Sequence, residues 1–292
     1  MLGKLLKYEL KATSRVFIPL YIAILVVSIV NGLSLNLEIL NIQGLATIVL
    51  MCLFISLFVI TIVVTIQRFN KNLLKDEGYL MFTLPVSSKH LVLSKYLTSL
   101  IWTFLSFIVA FLSFTIIFMI PTYKYFDFSY FINEFNLLFS NMLNLNILGQ
   151  FLKIILLMII SYTIFIFNVY LALSVGQLPI FNRFRNVSSF IGFLVINLLI
   201  SYAQNIVSLF VNDASVNIEA IDNINYAINS VTSIVSKGLN IAIVINLIII
   251  LVLFFATTYI LDKKLNLIDS SYDSIEKDGT GEKIEIDEME EK

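Results

Sequence analysis

The chain has 292 residues, 59% hydrophobic and 13% charged, where an ordinary soluble domain has about 45–50% and about 25%. So much apolar side chain cannot be hidden in one water-soluble core of this size, and the same numbers exclude a disordered chain, a disulfide scaffold and a nucleic-acid binder. The net charge of -1 joins two unlike parts: residues 265–292 hold ten acidic residues against three lysines, and residues 1–264 hold sixteen basic residues against ten acidic ones.

In chain order, the first feature is a stripe of Lys4, Lys7, Lys11 and Arg15 with Leu2, Leu5, Leu6 and Leu10 opposite. This pattern predicts a short amphipathic elbow helix in the cytoplasmic headgroup layer. The same charges could instead simply fix orientation, which needs no helix. The apolar run that follows is longer than a signal-peptide core and has no small-x-small cleavage site, so no cleaved leader is expected.

Six runs reach the roughly 20 residues that a helix needs to cross a bilayer core. They are residues 16–35, 45–67, 97–120, 154–176, 188–210 and 239–261, and none carries a charge in its middle. Lipid offers no backbone partners, so helices are required despite the abundance of Ile, Val and Phe. The expected fold is therefore all-α, a polytopic membrane protein with six transmembrane helices over residues 1–268.

Thirteen Lys and Arg fall in the alternate segments that include the N-terminus, against three (Lys124, Lys153 and Lys237) in the others. That bias predicts both termini in the cytoplasm. Cys52 lies within an apolar run and, as the one cysteine, excludes an intrachain disulfide and a multi-thiolate metal site. The stretch 121–150 is ring-rich (Tyr123, Tyr125, Phe126, Phe128, Tyr130, Phe131, Phe135, Phe139), a composition that collects at membrane interfaces; a lip for departing substrate is the other reading. Residues 212–237 are expected to hold one or two short helices. The acidic tail 269–292 is expected to be disordered.

Catalysis by this chain alone is not expected, nor is a metal or cofactor site. There is one histidine, His90, with no HExxH pattern, no GxSxG elbow and no carboxylate pair inside a span. The one Gly-Lys pair, Gly3-Lys4, sits at the extreme N-terminus, so a phosphate-cradling loop is also missing. A pump or carrier would place ionisable groups at mid-membrane, and Lys95 and Lys153 are read as snorkelling span ends. In the fifth span Asn197, Ser201, Gln204 and Asn205 share one helix face. They are candidates for a pathway lining or a subunit contact, or for helix–helix hydrogen bonds alone.

The segment between spans two and three reads RFNKNLLKDEGYLMFTLPVSSKHLVLSK from Arg68 to Lys95. Residues 70–81 can form a short helix with Leu73, Leu74 and Tyr79 as its apolar members. Pro85 stops it, and Ser87 or Ser88 can cap the next helix. Such an element could dock another protein or be an inert interfacial loop.

The run Asp76-Glu77-Gly78-Tyr79-Leu80-Met81-Phe82-Thr83-Leu84-Pro85-Val86-Ser87, followed by Leu93-Ser94-Lys95, resembles the membrane subunits of second-type ATP-binding-cassette (ABC) exporters of Gram-positive bacteria. The opening Leu5-Leu6-Lys7-Tyr8-Glu9-Leu10-Lys11, residues Leu173 to Leu178 and Lys264-Leu265-Asn266-Leu267 are similar to further parts of such permeases. The resemblance implies a non-catalytic subunit of the bacterial cytoplasmic membrane, paired with an identical or related permease and moved by a separate ABC ATPase that binds the ATP. It also implies a coupling helix whose polar contacts are Asp76 and Glu77 and whose apolar plug is Leu73, Leu74 and Tyr79, ended by Pro85. The competing expectations are an ATP-independent channel or carrier, and an immunity or sensing protein that binds antimicrobial peptides.

Overall fold

The computed structural model describes residues 2–37, 40–74, 78, 86–122, 127–144, 147–211 and 224–263. Among them every regular element is helical. The helices are α1 (Leu2–Asn36), α2 (Leu40–Phe69), α3 (Ser88–Thr122), α4 (Phe128–Asn144), α5 (Ile147–Gly176), α6 (Arg185–Val211) and α7 (Ile224–Lys263). A π-helical turn, Asn70–Leu74, extends α2, and a 3₁₀ turn, Pro179–Phe184, joins α5 to α6. All but α4 contain a stretch long and apolar enough to cross a membrane, which gives the six spans expected.

The spans form two three-helix groups. Helix α1 packs most extensively on α3 and next on α2, while α5 packs on α7 and α6. The first group closes around Phe17, Tyr21, Ile24, Leu57 and Trp102. The second closes around Ile164, Phe167, Tyr170, Ile200 and Leu253, and it takes in Phe69, Leu73 and Leu74 from the end of α2. Half of the most apolar stretch of α5 is buried, against 6–33% in the other five spans, so α5 is the central helix. The remaining helices turn rows of large side chains outward, among them Phe107, Phe111, Leu198 and Leu251. Such a surface suits lipid.

Helix α1 corrects one expectation. It is a single unbroken helix with Pro19 inside it, not a separate elbow followed by a span. The reason lies in its buried stripe, Glu9, Thr13, Phe17, Tyr21, Ile24, Ser28 and Asn31, which recurs every three or four residues from the basic segment deep into the span. Each contact pairs with α3 at a near-constant offset: Thr13 with Trp102, Tyr21 with Ser106, Ser28 with Ser113. The two helices therefore run parallel along their length. Lys4, Lys7, Lys11 and Arg15 stay exposed on the opposite side. Close approach is also built in near the far end, where a Cβ on Gly32 would lie 3.0 Å from the Ile120 side chain.

The helices also outrun the apolar runs. Helix α3 starts at Ser88, not at residue 97, and α7 starts at Ile224, so the part of 212–237 within the described residues is the beginning of α7 and not a separate short helix. Helix α5 ends at Gly176, where a Cβ would lie 2.8 Å from the Arg185 carbonyl oxygen. The tail 269–292 lies outside the described residues.

Candidate functional site

A buried polar cluster forms where α1 begins, α2 ends and α3 begins. Its hub is Glu9, 7% exposed, on the buried stripe of α1. Lys95 Nζ, on α3, donates to Glu9 Oε1 in an ion pair that is almost wholly enclosed. Asn72 Nδ2, in the π-helical turn, donates to the same oxygen at 3.2 Å. One carboxylate thus holds both ends of the loop that leaves α2 and returns into α3. Charge-assisted hydrogen bonds of this kind are roughly twice as strong as neutral ones, and the enclosed setting removes competing water.

Neighbouring groups fix the hub in place. Thr13 Oγ1 donates to the Glu9 carbonyl oxygen at 2.8 Å and accepts from Trp102 Nε1 at 2.6 Å. The Trp102 ring lies flat on Phe17, centroids 4.6 Å apart. On the other side Phe69 stacks on Tyr170 of α5, centroids 4.0 Å apart and 9° from parallel. The start of the loop is therefore keyed to both helix groups, by Asn72 to the first and by Phe69, Leu73 and Leu74 to the second. Beside the ion pair lies a void of about 20 Å³, bordered by Glu9, Arg68, Lys95 and Tyr170; it has room for about one water molecule.

A larger cavity of about 280 Å³ opens between α2, α3 and α5, lined by Phe58, Thr61, Thr65, Phe107, Tyr162 and Phe165 among others. Its hydroxyl groups are already engaged. Thr61 and Thr65 donate to carbonyls one turn back, Ser106 bonds to Trp102 O, and Thr103 pairs with Tyr162 at 2.6 Å. Methyl groups and rings are what remain to line it, so it suits an aliphatic or aromatic group.

Of the loop residues picked out from sequence, Leu73 and Leu74 are 0% and 2% exposed within the second core. Their side chains point into this chain, which revises their part in a docking surface: they anchor the loop from beneath. Asp76, Glu77, Tyr79 and Pro85 lie outside the described residues. At the loop's return Ser87 precedes α3, its carbonyl accepting from His90 N at 2.9 Å and its hydroxyl paired with His90 Nδ1 at 2.7 Å. On α6, Gln204 Nε2 donates to Asn246 Oδ1 of α7 at 2.8 Å, while Asn197, Ser201 and Asn205 are exposed. The face divides between a helix contact and the outer surface. Among the described residues no three His, Cys, Asp or Glu side chains group together as metal ligands would.

Sequence reasoning missed the hub. The sequence alone places Lys95 at a snorkelling span end and gives Glu9 no role beyond its place in the Leu5–Lys11 run. The available signal was that Glu9, Thr13 and Phe17 share one face opposite the Lys4–Arg15 stripe. No protein-family model matches the chain, and neither a curated protein nor a solved structure does.

Proposed function

We propose that this chain is the membrane subunit of an ABC-type exporter: a non-catalytic permease of the bacterial cytoplasmic membrane, with both termini in the cytoplasm. It pairs with a second permease, identical or related, and is moved by a separate cytoplasmic ATPase that carries the ATP. The ATPase docks on the loop between α2 and α3 through Asp76, Glu77 and Tyr79. The observation that carries this reading is the joint fastening of both loop ends to Glu9. A push on the loop is then delivered at once to α1, α2 and α3, and through Phe69 to α5. Switching a two-state membrane dimer from 1:99 to 99:1 takes about 5.5 kcal/mol of differential binding, within reach of one well-seated loop on each subunit.

The test is a charge swap. The tagged chain is purified from its own bacterial membrane, and the ATP hydrolysis that accompanies it is compared with that of Glu77→Lys. The reading expects hydrolysis in the first preparation and its loss in the second. Unchanged hydrolysis and ATP-driven transport in Glu77→Lys would refute the docking role.

A second reading, an ATP-independent carrier, draws support from the apolar cavity that opens between α2, α3 and α5 of a single chain. Solute uptake into liposomes holding the purified chain alone, without nucleotide, would favour it.

A further inference from the structure

Helix α4 is built unlike the six spans. At 100° per residue, Phe128, Phe131, Phe135, Leu138, Phe139 and Leu143 fall within an arc of about 140°, and Asn133, Asn136, Ser140 and Asn141 fall opposite. Tyr130 and Leu137 are the two large side chains outside the arc. The helix is well started, since Asp127 Oδ1 accepts from the backbone N–H groups of Ser129 and Tyr130 at 2.9 and 3.3 Å. Phe131, Phe135 and Phe139 form a stacked ladder with centroids 6.3 and 6.2 Å apart. Yet Phe128, Phe135 and Leu138 are 66%, 57% and 61% exposed. An apolar face lies uncovered by the rest of the described residues.

Chain geometry says what covers it. Five residues separate α4 from the end of α3 and two separate it from the start of α5, so its C-terminal end stays within about 11 Å of a membrane-spanning helix. At 17 residues the helix is about 25 Å long. The bilayer at the ends of α3 and α5 is the apolar medium within reach of both links.

We propose that α4 lies in the headgroup layer of the bilayer, at the end of the bundle opposite Glu9, with its ring ladder in the acyl boundary and its amide-rich face toward water. Residues 121–150 hold one lysine, Lys124, against two acidic residues, Asp127 and Glu134, so the local charge is -1. Binding is therefore driven by apolar area and rings, and anionic lipid adds nothing to it. The inference rests on the six spans and is independent of any ATPase.

The experiment uses the full chain with Cys52→Ser and one spin label at a time, at Phe135→Cys, Leu138→Cys, Asn133→Cys or Ser140→Cys. The protein is placed in nanodiscs of phosphatidylcholine alone, and of phosphatidylcholine with phosphatidylglycerol. Oxygen should relax the first two labels severalfold more than a water-soluble nickel chelate does, with the ratio reversed at the other two, alike in both lipids. Equal access of the chelate to all four labels would overturn the proposal, with α4 standing in water. Shielding of Phe135→Cys and Leu138→Cys from both reagents would also overturn it, with protein such as a second copy as the cover. Oxygen exposure that appears only with phosphatidylglycerol would overturn the charge-independent binding.

Discussion

The Glu9 cluster and helix α4 sit at opposite ends of the same bundle and solve opposite problems. The first hides polar groups inside protein: one carboxylate, one ammonium and one amide, drawn from positions 9, 95 and 72, are nearly sealed from solvent. The second leaves apolar groups outside protein, all from one run of 17 residues. A buried polar contact needs its partner in place, so it ties distant segments together and transmits their movement. An exposed apolar face needs a medium, so it fixes a position without tying segments to one another. On the proposed function and the proposed seat of α4, the difference gives force transmission to the Glu9 end and anchoring to the α4 end.

Four substitutions sharpen that contrast, each read by unfolding in mixed micelles. Lys95→Met leaves the Glu9 carboxylate buried without its cation and should cost about 3–5 kcal/mol. Adding Glu9→Gln should recover part of this, because a neutral amide no longer needs the cation. Gln204→Leu removes one neutral contact to Asn246 within the membrane and should cost about 0.6 kcal/mol. Phe135→Ser on the exposed ladder should change bundle stability by less than about 0.5 kcal/mol. If Phe135→Ser matched Lys95→Met, the assignment of the two ends would fail.

The six spans were legible because length and apolarity are local, and a run of 20 such residues has few alternatives in lipid. Their true extents were less so. Ser88–Tyr96 and the first turns of α7 are helical beyond the apolar runs, since a helix need not stop where lipid does. The aromatic wealth of 121–150 is plain in the sequence, while its helical period from Phe128 to Asn144 emerges only in the fold. The ion pair was hidden for a stronger reason. Glu9 and Lys95 are 86 positions apart, and only the parallel packing of α1 on α3 brings them together. Leu73 and Leu74 misled similarly: an apolar pair in a polar loop looks like a docking plug, and in the fold it is the loop's root in the core.

Hydrogen exchange on the purified chain, wild type against Glu9→Ala, tests the fastening of the loop most directly. If one carboxylate holds both ends, Glu9→Ala should speed exchange in residues 70–74 and in 88–95 together, and leave 128–144 unchanged. Unaltered protection at both loop ends, or faster exchange spread evenly to α4, would contradict the account.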